Sequence, residues 1–415
     1  MGKSTFFTGQ PIFTQLLELI PRSIVEQLGR KHGSNLYCKR FMVYDHLVSM
    51  LYAGFFQCTS LRELTTGLQA NSSRLHHLGL RYAPRRSTLS DANKRRNADF
   101  FADLYHALYR YHFSLPDSRS KNNKGDRLFI IDSTTISLFT SVMRGAGRPG
   151  ADGKKKGGAK AHMMIDAAHD IPAFVDLTEA READVNFFKK VIVPDGSTVV
   201  FDKAYVSYSQ YKDWNKRTVR WVTRSKQATV WEHLIELPVE ENSYNLGVRR
   251  DRMVRLGRPS NKKQTPLLNA RLINFYDQEK DRDFSFISND FKSNPEVIAE
   301  LYKRRWQIEI LFKRIKQRYP LRYFLGESSN AIKIQIWTAL ICDLLVRIIQ
   351  KRVNSIRKKP WAYASISAMI KHHLMNYLNL KSFLLNPEKT LQNYKPPNLQ
   401  MDIFHQQGAY LPKTS

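Results

Sequence analysis

The sequence predicts an α/β protein: a mixed sheet with a β-rich insertion, preceded by a helical N-terminal domain. Three observations predict it. Residues 1–120 are helical in pattern and show no convincing strand. Two buried-strand runs follow, Leu128-Phe129-Ile130-Ile131 and Thr198-Val199-Val200-Phe201, and each ends in an aspartate, Asp132 and Asp202. Helix-like and strand-like patterns then alternate, as they do when helices cover a mixed sheet.

The elements follow in order. Within 1–120, Leu61-Arg62-Glu63-Leu64 and Leu75-His76-His77-Leu78 suggest short helices, and a basic helix lies in 84–96. In that helix Ser87 suits the N-cap, Asp91 the early turns, and Lys94, Arg95 and Arg96 the end. Short helices ending in a basic one resemble a helix-turn-helix reader, which would put Arg85, Arg86, Lys94 and Arg95 on DNA. An ordinary solvated basic helix explains the pattern equally well. After a polar linker, 121–226 holds the first core part: the Leu128 strand, a Gly- and Lys-rich loop over 144–158, hairpin arms 161–166 and 173–177, the Thr198 strand, a helix over about 207–216 and a strand at 220–224. Short β-like runs such as 269–275 and 284–287 mark 227–292 as the insertion. The second core part, 293–350, contains a predicted helix over 301–316 and an apolar helix from about 331, and 351–415 is a helical tail.

Charge narrows the partners. Lys and Arg number 66 against 37 Asp and Glu, a formal charge of +29 spread along the chain, so a polyanion is expected and nucleic acid comes first. The three cysteines, Cys38, Cys58 and Cys342, form no CxxC, which disfavours a disulfide framework or zinc ribbon and fits a reducing compartment. No signal-peptide stretch follows Met1, and the most apolar segment, 334–346, is too short and too charged to span a bilayer, so no membrane partner is expected.

The chemistry concentrates in 301–316, which lacks Gly and Pro. At about 100° per residue, Tyr302, Arg305, Glu309 and Lys316 fall within an arc of roughly 60°. Leu301, Ile308, Leu311, Phe312 and Ile315 form the adjoining apolar stripe. One helix edge thus presents a phenol, a guanidinium, a carboxylate and an ammonium. Asp132 and Asp202 each follow a buried run, where α/β sheets gather ligands. If the two strands pair in parallel, their carboxylates are neighbours that repel unless a cation neutralises them. With Glu309 they make the oxygen set that Mg²⁺ or Mn²⁺ prefers. A Walker phosphate loop is excluded at 148–155, where Arg148 replaces the upstream glycine and Lys155 the Ser or Thr.

Asp132, Asp202 and Glu309 in this order, with Asp202-Lys203-Ala204-Tyr205 and the Tyr-x₂-Arg-x₃-Glu-x₆-Lys string at 302–316, resemble the DDE transposases of bacterial insertion sequences. Within them the string is the signature of the family named after insertion sequence four. The resemblance covers about 125–350 and implies a ribonuclease-H-like core with an insertion between the second Asp and the Glu. It implies two Mg²⁺ or Mn²⁺ ions on Asp132, Asp202 and Glu309, and phosphate contacts from Tyr302, Arg305 and Lys316. It further implies double-stranded DNA partners (terminal inverted repeats and target), a homodimer on paired ends, and a bacterial cytoplasmic, nucleoid-associated setting. Many relatives carry Asp-Arg-Gly-Tyr at the second Asp. Here Lys203 keeps the charge while Ala204 lacks glycine's freedom, which weakens base contacts expected at that turn. Trp306 is either a platform for an extruded base or, more plainly, a core aromatic. Lys154, Lys155 and Lys156 suit sequence-independent backbone contact, and His162 suits a structural role. The expected activity is cleavage at insertion-sequence ends and joining of the 3′-hydroxyl to target DNA. A non-catalytic DNA binder and a nuclease of the same fold are the alternatives.

Overall fold

A computed structural model describes residues 9–113, 127–137, 158–257, 267–319, 321 and 323–394. Among the described residues six α-helices precede the sheet: α1 (Ile12–Leu17), α2 (Arg22–Lys31), α3 (Val43–Phe56), α4 (Leu61–Ala70), α5 (Arg86–Arg95) and α6 (Asp99–His112). The central region comprises β1 (Leu128–Ser137), β2 (Gly158–Asp166), β3 (Ile171–Glu179), β4 (Thr198–Phe201), α7 (Tyr208–Lys216), β5 (Arg220–Arg224), β6 (Trp231–Leu237), α8 (Glu241–Asn245), β7 (Val248–Leu256), β8 (Leu268–Asp277) and β9 (Arg282–Ser288). Then come α9 (Pro295–Lys303), α10 (Trp306–Arg318), α11 (Ser329–Asn354), α12 (Tyr363–His373), α13 (Leu380–Leu385) and α14 (Pro387–Gln392).

The chain divides into two compact units. One contains Met1–Ser23, Thr65–Pro84 and Leu345–Ser415, so segments from both ends of the chain share it. Its α1 begins with N–H groups that have no intrahelical acceptor. Two of them find carbonyls near the C-terminus: Ile12 N–H donates to Asn376 O at 3.1 Å and Phe13 N–H to Leu374 O at 2.8 Å. Gln15 fixes the same junction, donating to Leu378 O and accepting from Leu380 N–H.

The other unit, Ile24–Leu64 and Arg85–Leu344, contains one sheet in the order β3-β2-β1-β4-β5-β9-β8-β7-β6. Strands β1, β4 and β5 are parallel, while β2 and β3 return antiparallel on the far side of β1. This is the expected ribonuclease-H-like arrangement. The β-rich stretch 227–292 supplies β6–β9, an antiparallel run that continues the same sheet through the β5–β9 pair. Over one face of the parallel strands lies an aromatic core, with Phe201, Tyr211, Trp214 and Trp221 almost fully buried. The Tyr211 and Trp221 rings stack at 4.4 Å, which anchors α7 across β5.

Two expectations are corrected. Strand β1 does not stop at Asp132 but runs on to Ser137, because β2 keeps pairing with it after β4 has ended. Asp132 therefore sits where the parallel pairing ends, not where the strand ends. The predicted single helix over 301–316 is two helices, α9 and α10, joined at Arg304 and Arg305. No Gly or Pro breaks it. The turn tightens to i→i−3 bonding, with Arg305 N–H on Tyr302 O at 3.0 Å and Ile308 N–H on Arg305 O at 3.2 Å. It tightens where the side chains of Tyr302 and Arg305 are both tied to carboxylates beside the parallel strands. No helix among the described residues is long and apolar enough to cross a membrane.

Candidate active site

The register of β1 and β4 builds the first half of the site. Ile131 pairs with Phe201, so the next residues of the two parallel strands, Asp132 and Asp202, leave the paired region side by side. Helix α10 brings Glu309 to the same place, where Arg305 joins it to Asp132. The guanidinium donates through Nη1 to Asp132 Oδ2 and through Nη2 to Glu309 Oε1, the latter at 2.6 Å. Asp202 accepts from the Tyr302 hydroxyl and from Arg224, each at 3.4 Å.

The electrostatics show what this juxtaposition costs. Burial pushes the Asp132 carboxyl up to about 6, although Arg305 and the Ser133 N–H pull it down; the charges of Asp202 and Glu309 add to the rise. Burial also pushes the Tyr302 phenol up to about 12, so it is a hydrogen-bond donor at neutral pH. Its ring lies beneath the guanidinium groups of both Arg224 and Arg305, at 5.7 and 5.8 Å.

A second ring of polar groups stands behind Asp132. Ser133 donates its hydroxyl to Asp184 at 2.7 Å, and Lys160 and His162 approach the same carboxylate at 3.4 and 3.5 Å. His162 is buried between Tyr205 and Thr178, and burial holds it below the ordinary histidine range.

The other predicted residues scatter. Lys316 stays exposed and donates to the Thr135 carbonyl of β1 at 2.8 Å. Lys203 is exposed on the turn after Asp202. Trp306 is not a core aromatic: it is 59% exposed and lines a cleft of about 1190 Å³ together with Arg224, Phe284, Phe286, Tyr302 and Arg305. Exposure follows from its place as the first residue of α10, on the side away from Ile308, Leu311 and Ile315. Arg86 and Lys94 line a separate cleft of about 790 Å³ with Arg62 and Ser87. Arg85 precedes α5, and Arg95 pairs with Asp91 at 3.0 Å. Lys154, Lys155 and Lys156 lie outside the described residues.

Sequence reasoning missed Arg224 and Asp184. The signal for Arg224 was present, since it follows the run Trp221-Val222-Thr223 just as Asp132 and Asp202 follow theirs. Nothing in the pattern marked Asp184.

Three carboxylates, two from the point where the β1–β4 pairing ends and one from a helix, are the oxygen donors that a hard divalent cation takes, and their mutual repulsion calls for positive charge. The donor set therefore fits such an ion. Among the described residues no three His, Cys, Asp or Glu side chains converge closely enough to hold an ion as they stand, and Arg305 bridges two of the three carboxylates.

With this geometry in place, comparison with known proteins is informative. Residues 123–345 match the family described as transposase DDE domain, and residues 8–81 match a family described only as a domain of unknown function. A Sinorhizobium fredii protein called "Putative transposase y4zB" is 31% identical over 278 residues, covering 66% of this chain and 74% of that protein. A Synechocystis protein, "Putative transposase for insertion sequence element IS4SA", is 24% identical over 275 residues, covering 63% of this chain and 71% of that protein.

Proposed function

This chain belongs to the transposase DDE-domain family, and from that premise we propose that it cuts DNA at the terminal repeats of an insertion sequence and joins the freed 3′-hydroxyl to target DNA. The Tyr-Arg-Glu-Lys string at 302–316 further points to the branch named after insertion sequence four. The observation that supports the reading is the register of β1 and β4, after which Asp132 and Asp202 follow side by side, with Arg305 linking Asp132 to Glu309.

Asp132, Asp202 and Glu309 would hold two Mg²⁺ or Mn²⁺ ions, which would neutralise charge at a scissile phosphate and make a water or 3′-hydroxyl more acidic. The chain's own residues do the rest. Arg305 and Arg224 bring guanidinium groups that grip phosphate oxygens bidentately, and Lys316 adds a point charge. Tyr302 orients Asp202 by donating its hydroxyl. Trp306, exposed at the mouth of the aromatic cleft, offers a stacking face to an unpaired base. Strand joining releases one target-strand 3′-oxygen for each new phosphodiester formed, so no covalent protein intermediate is required.

The test is cleavage of terminal-repeat DNA by the purified protein with Mg²⁺ or Mn²⁺. Glu309→Gln keeps the side chain's size and removes its charge, and cleavage is expected to fall at least about 100-fold. A well-folded Glu309→Gln protein that cuts as fast as wild type would falsify the assignment of Glu309.

A further inference from the structure

We propose that Arg305 is the site's resident counter-cation in the DNA-free protein: it occupies Asp132 and Glu309 until a divalent ion displaces it, and phosphate draws it away. The inference rests on the ion-dependent reading above and adds how the site is regulated.

Two donors of one guanidinium satisfy two carboxylates from distant parts of the chain, Asp132 on β1 and Glu309 on α10. The side chains of Arg305 and Asp132 are 14% and 17% exposed, so water screens this contact weakly. Without the guanidinium, Asp132 and Glu309 would face each other and Asp202 as like charges. The position is otherwise a poor one for a cation. Arg305 caps the N-terminus of α10, where the helix dipole disfavours positive charge. Its Nε is buried without a hydrogen-bond partner among the described residues, so the bridge leaves a buried donor unused. The carboxylates hold Arg305 in place, and a phosphate offering bidentate acceptors competes for the same group.

The competition is sharpest at this bridge. Arg224 and Tyr302 reach only one oxygen of Asp202, each at 3.4 Å, and Lys316 bonds a backbone carbonyl, whereas Arg305 occupies two carboxylates at once. An oxygen lone pair that accepts from a guanidinium is not available to an ion. Ion affinity in the absence of DNA is therefore reduced by the fraction of molecules in which the bridge is closed. By linkage, DNA that pulls Arg305 away raises ion affinity by the same factor by which the ion raises DNA affinity.

The experiment titrates Mn²⁺ into DNA-free, full-length protein and reads free Mn²⁺ by electron paramagnetic resonance, in wild type, Arg305→Ala and Arg305→Lys. Arg305→Ala is expected to bind Mn²⁺ about tenfold more tightly than wild type, within the usual range for coupled sites, with Arg305→Lys between them. Adding a mixed-sequence DNA duplex should tighten Mn²⁺ binding to wild type and leave Arg305→Ala nearly unchanged. Thermal melting supplies a readout independent of activity: metal-free Arg305→Ala should melt below wild type and regain more on adding Mn²⁺. Equal or weaker Mn²⁺ binding by Arg305→Ala overturns the proposal and leaves the ion-dependent reading standing. Failure of every protein to bind Mn²⁺, with DNA or without, overturns that reading and the proposal together.

Discussion

Arg314 offers a direct test of how α10, and Glu309 with it, is held to the rest of its unit. It lies on the helix after Glu309 and donates to both oxygens of Asp343 on α11, at 3.0 and 3.2 Å. It also donates to Asp170, in the turn between β2 and β3, at 2.6 Å. The Asp343 and Arg314 side chains are 3% and 10% exposed, whereas Asp170 is 30% exposed. Arg314→Met preserves the aliphatic stem and removes the charge that neutralises Asp343. Stranding a buried carboxylate costs about 3–5 kcal/mol, while the more exposed Asp170 pair adds about 0–1 kcal/mol. The single variant should therefore lose about 3–6 kcal/mol in urea unfolding followed by circular dichroism. In Arg314→Met/Asp343→Leu no buried charge is stranded, and most of that loss should return, because a well-packed apolar pair is often as stable as a buried ion pair. A single-variant loss below about 1 kcal/mol, or a double variant no better than the single, would refute the claim that a desolvated charge pair anchors α10.

Three other expectations follow from the same coordinates. Burial alone would raise the Asp166 carboxyl, but hydrogen bonds from His169 and Arg127 outweigh it and hold the group at about 2. A depressed carboxylate contributes its stability above the unfolded value of 3.8 and loses it as pH falls toward about 2. Asp166→Asn should thus be less stable than wild type at pH 7 and show a flatter decline between those two values; parallel pH profiles would count against it. Gly247 sits at φ +110° and a Cβ there would lie 2.4 Å from the Tyr276 carbonyl oxygen, so Gly247→Ala should cost about 1–3 kcal/mol in thermal melts. Trp306→Ala, at an exposed position, should change stability by no more than about 0.5 kcal/mol yet weaken terminal-repeat binding by about 1–3 kcal/mol. Unchanged DNA affinity would return Trp306 to the status of an ordinary surface aromatic.

The parts of the fold that sequence revealed are those where burial leaves a one-dimensional trace. A strand covered on both faces reads as a continuous apolar run, so Leu128–Ile131 and Thr198–Phe201 announced themselves, and their parallel pairing made Asp132 and Asp202 neighbours. Other features leave no such trace. The alternation in 268–277 marks a strand, but not that β9, at the far end of its hairpin, pairs with β5 and makes one sheet. Phe13 is legible as buried, yet nothing near it indicates that its N–H finds the carbonyl of Leu374. The break between α9 and α10 was invisible because no residue there disfavours a helix; it falls where Tyr302 and Arg305 bond to distant carboxylates.

The site shows the same division in sharper form. Spacing along 302–316 implied that one phenol and two cations share an edge with Glu309, and from that pattern Tyr302 and Arg305 look outward-facing, ready for phosphate. In the folded chain they face inward. Tyr302 is 8% exposed and bonds Asp202, Arg305 bridges Asp132 and Glu309, and Arg224 arrives on a separate strand to serve Asp202. Three carboxylates drawn to one place repel one another unless positive charge lies among them, and two guanidinium groups supply it. Under the proposed exchange, the cations that suit a phosphate are the same ones that keep the carboxylates compatible with folding, since a single charge can serve one negative partner before DNA binds and another afterwards. The 3₁₀ turn at Arg304 and Arg305 gives that exchange a physical place: about 3.0 residues per turn, against 3.6 in an α-helix, brings Tyr302 and Arg305 into line along one edge. Helical periodicity alone put the two about 60° apart. The partners they bond in that alignment, Asp132 and Asp202, lie more than a hundred and about a hundred residues earlier in the chain.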